Sequence, residues 1–331
     1  MKRALAAVLV SAVVLGALVF VLADLETIRD VLESVRLADL ALAFGIYLCA
    51  YLGRLIRFAA LLGVPPARLG RLLHVSVVHA AAVRVMPARS GEVLFPVLAA
   101  RELHVDAGDG VAMLVLSRLF DFLGLVLFFV CALLFAGSHA EWMGAAALPA
   151  GIGLALLLVL LLIRFTFFVR LGQRLAERIA AGRLGRFGPV RKVAEAASQG
   201  TEAAIRATTP ARLLAGLLGT VLVWIGIFGC FWALMRPEGL DPISVVLGAT
   251  AGALAGALPI NGIGAFGSHE AGWTLGFTLL GLSGARALAT GLMTNVVTSL
   301  FALALGGLSL LLYPLLRCRE SADPGQDHGP G

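Results

Sequence analysis

The few ionisable side chains that lie inside apolar stretches of this chain fall at spacings that permit specific chemistry. Two glutamates, Glu92 and Glu270, each open an apolar segment just after a glycine, Gly91 and Gly267. A carboxylate in the first turn of a helix is favoured by the positive end of the peptide dipoles, and Ser90 and Ser268 are placed to help cap. At membrane depth the same carboxylates would mark a pathway, because an ionisable group persists there only beside protein or water. Arg89, two residues after Pro87, offers a planar fork of donors suited to phosphate. Arg84 precedes it by five residues and either joins it or extends to the membrane surface.

Arg118 and Asp121 stand at i, i+3 well inside an apolar run. An isolated charge is costly there, so the spacing predicts mutual pairing, either as a structural clasp or as a gate to a cavity. Arg54 and Arg57 repeat the i, i+3 spacing and put two cations on one helical face; Arg57 reads mainly as an anchor to cytoplasmic headgroups. Thr294, Asn295, Thr298 and Ser299 read as hydrogen-bonding groups between helices or as a neutral cavity lining.

Some resemblances to known chemistry fail on inspection. The stretch Asn261-Gly262-Ile263-Gly264-Ala265-Phe266-Gly267 looks like a phosphate-cradling loop but lacks the Lys and Ser/Thr that a nucleotide site needs, and no strand precedes it. Its glycines instead allow a sharp turn or close approach to a ligand. His269 beside Glu270 has no second histidine at metal-binding spacing, and His74 and His79 stand off a shared helical face. The four cysteines (Cys49, Cys131, Cys230, Cys318) form no metal or disulfide pattern. Neither a metal nor a cofactor is expected.

The elements that must position these residues are membrane spans. Of 331 residues, 60% are hydrophobic and only 14% charged, where soluble domains carry roughly a quarter charged residues. Mean hydropathy is +0.95. The net charge of +6 gathers beside apolar runs, which points to anionic lipid headgroups rather than nucleic acid. The expected class is all-α, a polytopic helical membrane protein. Full spans are expected at 4–22, 38–62, 109–137, 145–163, 211–235 and 285–314. The first, after Met1-Lys2-Arg3, imitates a signal peptide but is longer than the usual apolar core of one and reads as an uncleaved helix. Shorter apolar segments, 72–86 with 92–104 and 243–258 with 266–282, flank two breaks marked by Pro87 with Gly91 and by Pro259 with Gly264 and Gly267.

Charge orients the chain. The stretch from Arg164 to Arg212 holds ten basic residues against three acidic ones, which places it in the cytoplasm together with both termini. Segment 23–39 then falls outside. Span parity makes segment 72–108 enter and return from the cytoplasmic side, and 243–282 from the outside. Each half (38–137 and 211–316) reads span, broken hairpin, span, in opposite orientation, the pattern of an inverted repeat with its site at the interruptions. Ordinary loops between short spans are the alternative. The domain plan is one membrane domain over 1–316, a basic segment 164–210 with Leu171, Leu175 and Ile179 on one amphipathic face, and a disordered cytoplasmic tail 317–331.

These landmarks resemble the lysylphosphatidylglycerol synthase transmembrane-region family, the flippase-like membrane proteins. The likeness rests on Arg54-x-x-Arg57, Met86-Pro87-Ala88-Arg89-Ser90-Gly91-Glu92, Ser117-Arg118-Leu119-Phe120-Asp121, and Leu258-Pro259 through Gly264, Gly267 and Glu270, and it spans about 5–315. It implies a cell-membrane protein that moves a phospholipid or polyisoprenoid-type lipid between leaflets. Some members of the family are fused to a soluble synthase or glycosyltransferase domain; synthase activity is not expected of this chain. Arg89, Glu92, Arg84, Asn261, Gly264, Gly267 and Glu270 are the expected headgroup-binding positions, and Pro87, Gly91, Arg118, Asp121 and Pro259 the shaping or gating ones. The expected partner is a membrane lipid with an anionic headgroup, with a lipid- or glycan-biosynthesis enzyme as a protein partner. The competing classes are a lipid-modifying enzyme, with Glu92 or Glu270 as base, and a non-catalytic membrane subunit of a lipid- or glycan-biosynthesis partner.

Overall fold

The computed structural model describes residues 24–136, 146–181, 205–257 and 263–322, together with Gly16. The side chains of 87–89, 107, 172, 175–177, 179–180 and 314–322 are outside that description. The expected first span, 4–22, lies outside the described residues, as do Pro259 and Asn261.

All described secondary structure is helical. After α1 (Leu25–Ser34) come α2 (Leu37–Leu62), α3 (Leu69–Val85), α4 (Leu94–Leu103) and α5 (Ala107–Phe135). Then follow α6 (Ala147–Ile163), α7 (Phe165–Ala181), α8 (Pro210–Met235), α9 (Pro242–Ala257), α10 (Ser268–Leu279) and α11 (Gly284–Ala322). Four stretches, Leu37–Leu62, Gly108–Phe135, Pro210–Glu238 and Gly284–Tyr313, are long and apolar enough to cross a bilayer. A fifth qualifies if α6 and the start of α7 are joined across their 62° bend. The sharp turn at Arg164 lets the apolar α6 end where the arginine-bearing α7 begins, so α7 leaves the α6 axis as the first arginines arrive.

One element was not foreseen and two expectations are corrected. Segment 23–39 contains α1, with Asp24 accepting from Glu26 N at 3.1 Å at its N-terminus and Val31 buried, and α1 packs on α11. The first break is a 3₁₀ segment, Pro87–Val93, so Glu92 precedes α4 instead of opening it, and α4 has no side-chain cap. Finally, α11 continues to Ala322, past residue 316 where a tail was expected to begin; 323–331 lie outside the described residues.

In a bilayer, lipid tails are as apolar as leucine, so helices associate through close packing and hydrogen bonds more than through hydrophobic burial. Two seams of small residues show this. Antiparallel α2 and α8 meet along Ala50, Gly53, Gly219 and Gly226, where a Cβ on Gly219 would sit 2.7 Å from the Gly53 carbonyl oxygen. In the second hairpin, α9 and α10 meet along Gly248, Ala251, Gly252, Gly272 and Gly276, where a Cβ on Gly276 would sit 2.9 Å from the Gly248 carbonyl carbon. Larger side chains fill the space behind the seams. Phe58, Phe95, Met113, Leu116 and Phe120 pack one core, and Trp224, Phe228, Phe231, Trp273 and Phe277 another.

The remaining pairings set the frame. Helix α3 lies along α11, joined by His74 Nδ1 to Ser309 Oγ at 2.9 Å. Helix α5 packs against α9, α4 against α5, and α10 against α11. The second break, Ile263–Ala265, touches both α3 and the first break, so the two interruptions meet inside the bundle.

Candidate functional site

Where the breaks meet, a cavity of about 240 Å³ opens between α2, α3, α5, α8 and α9. Four arginines line it: Arg54 and Arg57 from α2, Arg84 from α3 and Arg118 from α5. Tyr47, Phe58, Phe122, Trp224 and Phe231 supply an aromatic wall, and Gly252, Gly256, Gly264 and Ala265 bring backbone close to the space.

Most of the charge is held by protein groups. Asp121 accepts from Arg57 Nη1 at 2.5 Å on one carboxylate oxygen and from Arg118 Nη1 at 3.0 Å on the other. Arg118 also reaches Glu92 in the first break, Nη2 to Oε1 at 3.0 Å. The backbone of the same aspartate is used too: Trp224 Nε1 donates to the Asp121 carbonyl at 3.0 Å. One short segment of α5 therefore ties α2, α8 and the first break together. The i, i+3 pairing of Arg118 with Asp121 is present, but Asp121 is shared. Arg57 is corrected from an interface anchor to a buried group, 3% exposed, whose carboxylate lies on another helix.

A second relay runs through the other hairpin. Glu270 is fully buried, at 0% exposure, and Oε2 accepts from Gly267 N at 2.6 Å, closing the first turn of α10. Its other oxygen accepts from Asn295 Nδ2 at 2.8 Å, and Asn295 Oδ1 accepts in turn from Arg84 Nη1 at 3.0 Å. Two expected headgroup positions are thereby corrected. Glu270 does not line the cavity; it fixes α10 and, through Asn295, aims Arg84. Gly267 is likewise not in the wall but begins α10 in a backbone conformation with φ 89° that favours glycine. Ser268 is not a cap: its Oγ donates back to the Ala265 carbonyl at 3.1 Å.

The other expected positions sort as follows. Arg84 and Gly264 line the cavity, and Glu92 stands behind Arg118. Gly91 permits the first break to fold onto α3, since a Cβ there would lie 2.6 Å from the Ala82 carbonyl oxygen. Pro87 opens the 3₁₀ segment, and Arg89 stands within it, its side chain outside the described residues. Asn295 and Thr298 are buried on α11, with Thr298 in the cavity wall. Sequence reasoning passed over Tyr47, Trp224 and Phe231 because an aromatic in an apolar span carries no sign of which face it presents.

Chemically, the site is a small chamber with a mostly apolar and aromatic wall into which guanidinium groups are set. Its volume falls below the roughly 300–1,000 Å³ that encloses a drug-sized ligand, so there is room only for a smaller group. Guanidinium forks match phosphate and carboxylate oxygens. No curated protein and no solved structure matches this chain. The model of the lysylphosphatidylglycerol synthase TM region matches residues 5–306, and the chain belongs to that family, a helical, multi-pass membrane protein of lipid-related function.

Proposed function

We propose that this protein moves a lipid with an anionic, phosphate-bearing headgroup between the leaflets of the cell membrane, without covalent change to the lipid. The observation that carries this reading is the arginine-lined cavity at the meeting point of two broken helices. Irregular backbone at membrane depth is tolerated where it faces protein or a polar cavity, and it recurs at transport sites. A chamber of about 240 Å³ accepts a headgroup while the acyl chains stay in the bilayer.

The halves α2–α5 and α8–α11 are read as an inverted repeat, with six full spans including 4–22 and both termini in the cytoplasm. The pairing of elements supports the repeat: α2 with its counterpart α8, α3 with α11 as α9 with α5, and break with break. The basic stretch from Arg164 supports the orientation. Alternation between the halves would open the chamber to each leaflet in turn. Neither a cofactor nor a covalent intermediate is needed.

The test is exchange of fluorescent phosphatidylglycerol in proteoliposomes, read by dithionite quenching of the outer leaflet. Wild type is expected to make the inner-leaflet pool accessible, and Arg84→Ala, which removes a charge from the cavity and the bond that fixes the wall at Asn295, to slow this by about tenfold. Quenching that stops at the outer leaflet with wild type, as in protein-free vesicles, for this and for other phospholipids would overturn the reading.

A further inference from the structure

The four cavity arginines are not equivalent. Arg57 and Arg118 are held by Asp121, Arg118 also by Glu92, and Arg84 by Asn295, which is itself fixed by Glu270. Among the described residues, no carboxylate stands within ion-pairing distance of Arg54; the Asp121 carboxylate acts on its charge only from further away. Its guanidinium lies over the Tyr51 ring, 5.1 Å from the centroid, and Tyr51 is in turn set edge-on against Tyr47 at 5.5 Å. A ring beneath the guanidinium occupies its face and leaves the in-plane N–H groups at its edge to point elsewhere. The residue is half-buried and lines the cavity.

Polar atoms of other cavity residues also lack partners. Arg57 Nε, Arg118 Nε and His269 Nε2 are buried without a hydrogen bond, although buried donors and acceptors are ordinarily satisfied. They belong to side chains of the cavity wall whose polar capacity is not used up by the protein.

Resting on the translocation reading, we propose that Arg54 is the phosphate-binding residue of this site. A phosphodiester presents two non-bridging oxygens to the guanidinium edge of Arg54, while Arg57, Arg84 and Arg118 hold the walls in place. A phosphodiester fits because its two charged oxygens match one bidentate fork. The Tyr51 ring presets the orientation of that fork, so less side-chain freedom is lost on binding.

The experiment uses the full chain, delipidated in detergent, with native mass spectrometry of added phosphatidylglycerol and, separately, diacylglycerol, which lacks the phosphate. Wild type is expected to prefer phosphatidylglycerol. Arg54→Gln should weaken phosphatidylglycerol binding by about tenfold or more while leaving diacylglycerol unchanged. Arg54→Lys, which keeps the charge and loses the fork, should fall between. Because Arg54 makes no ion pair within bonding distance among the described residues and rests on a single ring, Arg54→Gln should lower the thermal midpoint far less than Asp121→Asn does, which separates lost binding from lost folding. Soluble glycerophosphoglycerol forms a competing arm: failure to displace the lipid assigns a membrane headgroup, and displacement at equal concentration assigns the diester itself, both consistent with Arg54 as its ligand. Arg54→Gln that binds and moves phosphatidylglycerol as wild type does would overturn the assignment of Arg54 and leave translocation standing. Wild type that neither prefers nor moves phosphatidylglycerol would overturn both.

Discussion

Asp121 carries two guanidinium groups on one carboxylate, and its environment decides what that is worth. Arg57 is 3% exposed, so its charge has little water to fall back on. Removing one partner of a buried pair leaves an uncompensated charge and costs about 3–5 kcal/mol, whereas replacing both by apolar groups is often close to neutral. Asp121→Asn is therefore expected to lower the thermal midpoint in detergent sharply, and the double variant Arg57→Met/Asp121→Leu to recover most of the loss. A double variant no more stable than Asp121→Asn would show that the pair does something other than neutralise a buried charge. Only half of this junction was legible in the sequence. Arg118 and Asp121 are one helical turn apart and their pairing follows from spacing, but Arg57 and Asp121 are separated by 64 positions and meet only through the α2–α5 approach. The sequence offered a weaker sign, two arginines in one apolar span whose one acid, Asp39, stands at its far end. Glu270 shows the converse. Its place in a helix's first turn was readable, but its burial was not, because burial depends on α11 lying over it with Asn295.

Elements were easier to read than residues. Hydropathy located the four long apolar helices and α6 among the described residues, and Pro87, Gly91, Gly264 and Gly267 located the breaks. The 3₁₀ segment Pro87–Val93 was missed because three residues per turn leave no periodic apolar face to recognise. Helix α1 was passed over because its charged residues dominate its composition, although Leu25, Ile28 and Val31 repeat at helical spacing. The hairpin of α9 and α10 depends on backbone contact that a side chain would prevent. A valine at 276 would drive its β-carbon into the Gly248 peptide, and forcing extra atoms into such a contact costs about 1–3 kcal/mol or more. Gly276→Val should therefore lower the thermal midpoint and yield of folded protein. Gly45→Ala, where nothing lies within 4 Å of the added carbon, should leave both unchanged or slightly improved. Equal behaviour of the two variants would mean that the hairpin tolerates separation.

At the scale of the whole molecule, orientation is an argument from charge and parity, and it has a direct check. Asp30 on α1 and Arg174 on α7 are both exposed, and the parity scheme puts them on opposite faces of the membrane. In a chain with Cys49, Cys131, Cys230 and Cys318 replaced by serine, Asp30→Cys should react with an impermeant maleimide on intact cells. Arg174→Cys should react only after permeabilisation. Reaction of both from outside would break the parity on which the opposed hairpins rest; exchanged reactivities would invert the molecule and leave the hairpins opposed. A common site at the two breaks was expected from the repeat pattern; what one sequence could not supply is the set of contacts that brings them together, α3 with α11 and α5 with α9.

The small-residue seams have a consequence for how this chain can drift. Every single-nucleotide change that alters a glycine codon either adds a β-carbon or stops translation, so evolution has no gentle step away from Gly53, Gly219, Gly226, Gly272 or Gly276. Arg54, which no ion pair holds among the described residues, can by contrast pass through lysine or glutamine and keep a polar reach. The chamber can therefore change at that position one base at a time, while the frame around it has far less room to move.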